Sequence, residues 1–377
     1  MVYLPYIVYY FQYIGFNLTK IAILFAVKNL TQIILEIPTG YIADRIGKVK
    51  TLVISLILEI IGLVIILYST SYSAIIISHI ILGAGFAMFS GADSALVYES
   101  LKKLNLQKQF KKIYGRCNGI GEFSIIISTI VGSLIIEQGL EITIIISIIA
   151  LIIGTIVTAT IKEPYKIKTN KIKVKIKNEF INLYNIVKES LYNSKIRSIF
   201  IYSFFIMGLS NIIFVYYQPY FNETNVPLFY YGIIFAFLSI ITAIVNFNIE
   251  FIEKKLGVYR TLIFMPILLG LSYLFSGYFF IQLGFLFFIL REIVRGLSIP
   301  VITDYTNNLI KGENKRATIL SIGGMFSRLG FAILALIFGL FSDNYGLSLT
   351  FIYTGVAILL FTIILSKIIK RSKNFEY

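Results

Sequence analysis

Lys28, Gln32 and Glu36 stand four residues apart, so in a helix they line one face with an ammonium, an amide and a carboxylate. Comparable stripes follow along the chain: His79, Gly83, Ser90 and Asp93, then Asn118, Glu122 and Thr129, then Arg291, Glu292 and Arg295, and finally Arg328. All of them interrupt stretches built largely of Ile, Leu, Val and Phe. The carboxyls of Glu36, Asp93 and Glu122 are candidates to load and release a proton, because burial disfavours the charged form of an acid. His79, the one histidine, has a side chain that ordinarily titrates near neutrality. Lys28, Arg291, Arg295 and Arg328 can attract an anionic solute, and Gln32 and Glu292 are counted with them in the candidate proton or substrate site. Structural pairing competes with each of these roles, for example Glu292 with Arg295 at i, i+3, or Arg328 with an acid elsewhere.

The elements that must carry these residues follow from composition. Hydrophobic residues make up 57% of the 377 and charged residues 14%. Apolar runs of about 20 residues recur along the whole length, the length a helix needs to cross a bilayer. The expected fold class is therefore an all-α polytopic membrane protein. A charge at bilayer depth costs at least about 2.5 kcal/mol by insertion scales, so the stripes above should face a bundle interior, a cavity or one another. Spans are expected near residues 1–15, 20–42, 51–68, 73–97, 114–136, 141–161, 197–218, 229–250, 261–280, 282–303, 316–341 and 347–367.

The net charge of +15 is a topology signal and not a nucleic-acid footprint, because the basic residues fall between apolar spans. Every Lys and Arg except Lys20, Lys28, Arg291, Arg295 and Arg328 lies in alternate connections or in the carboxyl-terminal tail. That bias puts those connections and the C-terminus in the cytoplasm and the protein in the cell (inner or plasma) membrane. The first span is short. About 15 residues rise only about 22 Å as a helix, against a hydrocarbon core of about 30 Å, so further residues are expected ahead of Met1 in the working protein.

A weak internal repeat aligns Ala43–Leu52 with Glu253–Leu262 and sets Asp93 near Asp304. Two six-helix halves, 1–161 and 197–377, joined by a basic linker over 162–196, are the organisation such a repeat predicts, with a substrate site at the midplane. Within the linker, Phe180, Leu183, Tyr184, Val187 and Leu191 recur at helical spacing, and lysines flank them. A helix lying on the inner leaflet is expected there.

Between the second and third spans stands Gly40-Tyr-Ile-Ala-Asp44-Arg45-Ile-Gly47-Lys48-Val49-Lys50. It resembles the helix 2 to 3 motif of the major facilitator superfamily, in outline Gly-x-x-x-Asp-Arg/Lys-x-Gly-Arg/Lys-Arg/Lys, filled here by Gly40, Asp44, Arg45, Gly47 and Lys48. Val49 departs from the pattern, with Lys50 one position later. Glu36-Ile-Pro-Thr-Gly40 and Arg316-Ala-Thr318 look like a small prokaryotic branch of that superfamily. The resemblance implies two pseudo-symmetric six-helix bundles and a conformational latch, in which Asp44 sits near the start of the eleventh helix and Arg45 and Lys48 pair with Glu99 or Asp93. In the fourth helix the superfamily usually has an Arg four residues before a Gly, and His79 occupies that place before Gly83.

The expected function is secondary active transport of a small solute by alternating access, possible without a cofactor. Efflux is preferred, on the strength of the branch resemblance and of the many tyrosines and phenylalanines, among them Tyr9, Tyr10, Tyr13, Tyr216, Tyr217 and Tyr220, which the resemblance places near the outer mouth. Proton coupling is open. The fifth span, with Gly119, Gly121 and Gly132, lacks the Gly-Pro pair usual in drug/proton antiporters. A carrier for an anionic solute and a transport-inactive scaffold or sensor are the alternatives. Expected partners are the bilayer, a small-molecule substrate and protons, with no nucleic acid, and the chain is expected to be a monomer. No phosphate-cradling Gly-x-x-x-x-Gly-Lys-Ser/Thr occurs, and one histidine with Cys117 offers neither a metal-ligand set nor a nucleophile–base pair, so no enzyme is expected.

Overall fold

The computed structural model describes residues 1–165, 185–309 and 313–371. Among these the regular structure is all helix, without a strand. The helices are α1 (Ile7–Tyr13), α2 (Leu18–Ile46), α3 (Lys48–Tyr68), α4 (Tyr72–Lys103), α5 (Phe110–Ile135), α6 (Leu140–Ala159), α7 (Ser194–Tyr202), α8 (Gly208–Glu223), α9 (Phe229–Phe247), α10 (Ile249–Leu256), α11 (Val258–Tyr278), α12 (Phe288–Leu309), α13 (Glu313–Tyr345) and α14 (Leu347–Arg371). Ten of the helical segments are long and apolar enough to cross a membrane. Two of the twelve expected spans fall short by that measure. The helix α1 has seven residues, and α12 carries Arg291, Glu292, Arg295 and Asp304.

Contacts group the chain into two compact units. One comprises Met1–Leu4 and Leu24–Leu183, the other Pro5–Ile23 and Tyr184–Tyr377. The amphipathic pattern expected in the linker falls mostly outside the described residues. Of its members Val187 and Leu191 lie in a helical run over 185–192, where Leu191 is exposed.

Small residues set the packing within each unit, as expected where lipid removes the hydrophobic drive between helices and close approach takes its place. In the first unit a methyl group at Gly83 of α4 would come 2.5 Å from the Lys28 carbonyl oxygen of α2, and one at Gly62 of α3 would meet Leu82 at 2.7 Å. Ser78 Oγ donates to the Gly62 carbonyl at 2.9 Å. In the second unit a methyl group at Gly277 of α11 would come 2.7 Å from the Ser348 carbonyl oxygen of α14, and Ser348 Oγ donates to the Gly277 carbonyl at 2.8 Å. A π-helical turn, Ser203–Met207, joins α7 to α8 where Gly208 approaches Gly330 of α13.

The internal repeat is visible in the backbone. Gly47, between α2 and α3, has φ +99° and ψ 155°, and Gly257, between α10 and α11, has φ +74° and ψ 152°. Both lie where an L side chain is strained. Thr51 Oγ1 donates back to the Gly47 carbonyl at 2.7 Å, and Thr261 Oγ1 to that of Gly257 at 2.9 Å.

Candidate functional site

The charged turn is held by a carboxylate that sequence reasoning overlooked. Glu163, just beyond α6, accepts the amides of Lys48 at 2.6 Å and Val49 at 3.0 Å, capping the first turn of α3 with a negative charge where the helix dipole favours one. Beneath the turn lie buried Ala43, Val49, Leu52, Ala92 and Leu96. Asp44, largely exposed, forms an ion pair with Lys48, whose side chain is mostly buried. The Arg45 guanidinium lies over the Tyr41 ring, 4.7 Å from its centroid. Glu99 is half-buried, and among the described residues no ion pair joins Arg45 or Lys48 to it or to Asp93. Asp93 instead accepts the hydroxyl of Tyr114 at 3.1 Å. The expected seat of Asp44, beside Arg316, has side chains outside the described set.

Of the second-span stripe, Lys28, Gln32 and Glu36 are each half-buried. The Lys28 ammonium sits 3.9 Å from the centre of the Phe86 ring of α4. His79 is buried: its Nδ1–H donates to the Ile75 carbonyl at 2.9 Å, and its ring meets Phe25 of α2 edge-on at 5.6 Å. Glu122 is half-buried on α5 and Arg328 half-buried on α13.

A second acid escaped the sequence reading. Glu59, in the middle of α3, is 8% exposed, and its Oε1 has no hydrogen-bond partner among the described residues. The nearest signal was its standing as the one acid of the helix Lys48–Tyr68, amid the apolar run that follows Ser55.

In the second unit, Arg291 and Glu292 form a fully satisfied buried pair. Glu292 Oε1 accepts the Tyr217 hydroxyl at 2.7 Å and an Arg291 guanidinium N–H; its Oε2 accepts Thr242 Oγ1 at 2.6 Å and an Arg295 N–H at 3.5 Å. Arg291 Nε donates to the Ser210 carbonyl at 2.8 Å. Helices α8, α9 and α12 thereby share one network. Both the Arg291 and Glu292 side chains are 2% exposed, whereas that of Arg295 is 30% exposed. Neither member of the pair is presented to a solute, which favours the structural reading.

The tyrosines expected to line an outer mouth are largely packing. Tyr10, Tyr216, Tyr217 and Tyr220 are buried. Tyr217 stacks on Phe288 with centroids 4.3 Å apart, and Tyr220 donates to the carbonyls of Phe279 and Ile281 at 3.0 and 3.1 Å. Tyr13 is exposed.

Two further polar contacts hold the start of the chain within the second unit. Gln218 Oε1 of α8 accepts the amides of Val8 at 2.7 Å and Tyr9 at 3.0 Å. The carboxylate of Asp343, at the end of α13, accepts those of Leu18 at 3.0 Å and Thr19 at 2.9 Å.

The family model described as Major Facilitator Superfamily matches residues 1–313 and again 200–374. An uncharacterized transporter of Buchnera aphidicola subsp. Schizaphis graminum is 30% identical over 99 residues, 26% of this chain and 25% of that protein. The match thus spans about a quarter of the relative's length. Among solved structures, the nucleoside transporter NupG superposes with a TM-score of 0.78 at 14% identity, covering 98% of this chain and 97% of that one. A D-xylose-proton symporter gives 0.76 at 12%, covering 97% and 93%.

Proposed function

Because the chain belongs to the major facilitator superfamily, a family of membrane transporters, we propose that it is a secondary transporter carrying a small solute by alternating access. The moving halves are residues 1–161 and 197–377, linked through 162–196, and the basic connections and the C-terminus face the cytoplasm. One observation carries the reading: ionisable side chains are drawn into the packing of both units, Glu59 buried and Lys28 half-buried in one, Arg291 and Glu292 buried and Arg295 half-buried in the other. Groups so expensive at bilayer depth mark solute pathways or proton relays, or pair with one another, as Arg291 and Glu292 do. A scaffold would need the second kind alone; among the described residues no ion pair closes between Lys28 and Glu59 and a Glu59 oxygen has no hydrogen-bond partner, which supports the transporter reading.

The latch is the turn Gly40, Asp44, Arg45, Gly47 and Lys48, with Glu99 as a partner in a state other than this one. Its present arrangement, with Asp44 on Lys48 and Glu163 on the α3 amides, supplies charges that can re-pair as the halves rock. Identities of 12–14% to the nucleoside transporter and the xylose-proton symporter support the fold and not their substrates. The test is a ligand screen by thermal shift on purified protein, then counterflow in liposomes with whatever binds. A transporter accumulates the labelled ligand against an internal pool; a protein that binds but gives no exchange is a sensor, and the proposal fails.

A further inference from the structure

The helix α3 runs 21 residues from Lys48, so Glu59 lies about 16 Å along it, near its centre. The side chain is more than nine-tenths buried and, among the described residues, one carboxyl oxygen lacks a donor. At this level Gly85 of α4 brings the helices together: a methyl there would come 3.0 Å from the Ser55 carbonyl and 3.6 Å from the Glu59 amide nitrogen. The third wall is α2, whose Lys28 carbonyl abuts Gly83 and whose ammonium is cradled on Phe86. Lys28 and Glu59 act on each other electrostatically, yet no ion pair closes between them among the described residues. Other titratable groups around Glu59 are few. The amino-terminal stretch brings the Met1 ammonium and the Tyr3 hydroxyl, α4 brings His79 beyond Lys28, and α6, packed on α3, brings only Glu141 in its exposed first turn.

A buried carboxylate short of hydrogen bonds stays ionised only while a cation compensates it. The Lys28 ammonium is that cation, and the ring beneath it leaves its N–H groups available for an anion's oxygens. We propose that Lys28 and Glu59 form a proton-linked anion site, in which a carboxylate- or phosphate-bearing solute takes Lys28 as its counter-ion and Glu59 takes one proton from water. The balance is simple. Counting this pair alone, the empty site holds one positive and one negative charge; loaded with a monoanion it holds ammonium, bound anion and neutral carboxylic acid, so one proton accompanies each bound anion and any second negative charge on the solute is left uncompensated by Glu59. The inference deepens the transport reading and rests on it for direction: co-transport with a proton runs inward down a proton gradient.

The experiment is titration calorimetry of the full chain in lipid nanodiscs with benzoate, succinate and inorganic phosphate, each in buffers of differing ionisation enthalpy, which reports protons taken up per bound anion. At least one anion should bind wild type with uptake approaching one proton, and affinity should tighten by up to about tenfold per pH unit of acidification, the limit for one linked proton. Glu59→Gln should bind with no proton uptake. Lys28→Met should not bind, while Lys28→Arg, which keeps charge and bulk, should bind with uptake retained. Binding by none of the three anions, uptake that survives Glu59→Gln, or uptake lost on His79→Asn but kept in Glu59→Gln would each overturn the proposal. Proton-linked binding without flux in liposomes would leave this site standing and remove the transporter reading; flux without proton linkage would do the reverse.

Discussion

Arg291 and Glu292 show how a charge becomes tolerable inside a bilayer protein: Tyr217, Thr242, Arg295 and the Ser210 carbonyl complete the hydrogen bonding the pair needs. Glu292→Ala should leave a buried guanidinium uncompensated and destabilise by about 3–5 kcal/mol, whereas the double replacement Arg291→Met with Glu292→Leu should recover much of that loss. Unfolding midpoints in detergent check this; equal losses in single and double variants would show that the network, not the pair, matters. At the turn, Asp44 is mostly exposed and its pair with Lys48 can contribute little to stability, on the order of 0.3–0.5 kcal/mol for a surface i, i+4 contact. Asp44→Asn should therefore insert and fold as wild type yet lose transport if the carboxylate works as the latch. Full counterflow in that variant would leave the charge as a cytoplasmic anchor. The residue types were readable from the sequence, but the partition between Arg291 as a satisfied pair and Lys28 as a cation without a closed ion pair was not, because it depends on partners some 75 or 81 positions distant.

Helices and their order were legible because each buries an apolar surface and the turns carry charge, glycine or short polar runs such as Ser69-Thr70-Ser71. The faint match of Ala43–Leu52 to Glu253–Leu262 proved to be a shared backbone, with a left-handed glycine and a threonine hydroxyl returning to its carbonyl in both places. Glu163 was not legible: as the cap of α3 it stands 115 residues from Lys48, and nothing local marks it. Small residues divide by what surrounds them. Gly83→Ala would drive a methyl into the Lys28 carbonyl and Thr31, and should lower stability by about 1–3 kcal/mol, as overpacking does. Gly40 is different, since a methyl there meets nothing within 4 Å. Gly40→Ala should hold or raise the unfolding midpoint, by up to about 1 kcal/mol from helix propensity. A fall in transport without a fall in stability would then place the need for Gly40 in the alternate state, and unimpaired transport would remove it from the latch.

At the scale of the molecule, the amino-terminal stretch Pro5–Ile23 groups with the carboxyl-terminal helices, although the repeat assigns it to the first half. Gln218 and Asp343 account for much of this: between them they take four backbone amides at the starts of α1 and α2. Gly339 adds close packing, for a methyl there would meet the Leu18 carbonyl at 3.0 Å and Ala22 at 3.1 Å. Separations of more than 200 residues kept both contacts out of reach of sequence patterns, which register neighbours three or four apart. If residues 1–161 move as one body, these contacts must break once per cycle. An anion at a helix N-terminus contributes about 0.3–1 kcal/mol beyond a neutral acceptor, so Asp343→Asn should weaken the clasp by that amount without unfolding α13. Hydrogen exchange reads it directly: amides of residues 18–23 should exchange about two- to fivefold faster in the variant, the factor that energy implies, with α11 and α14 unchanged. Exchange that rises equally in α11 and α14 would mean general destabilisation, and exchange that does not rise at all would mean that Asp343 caps a helix end which never parts from it.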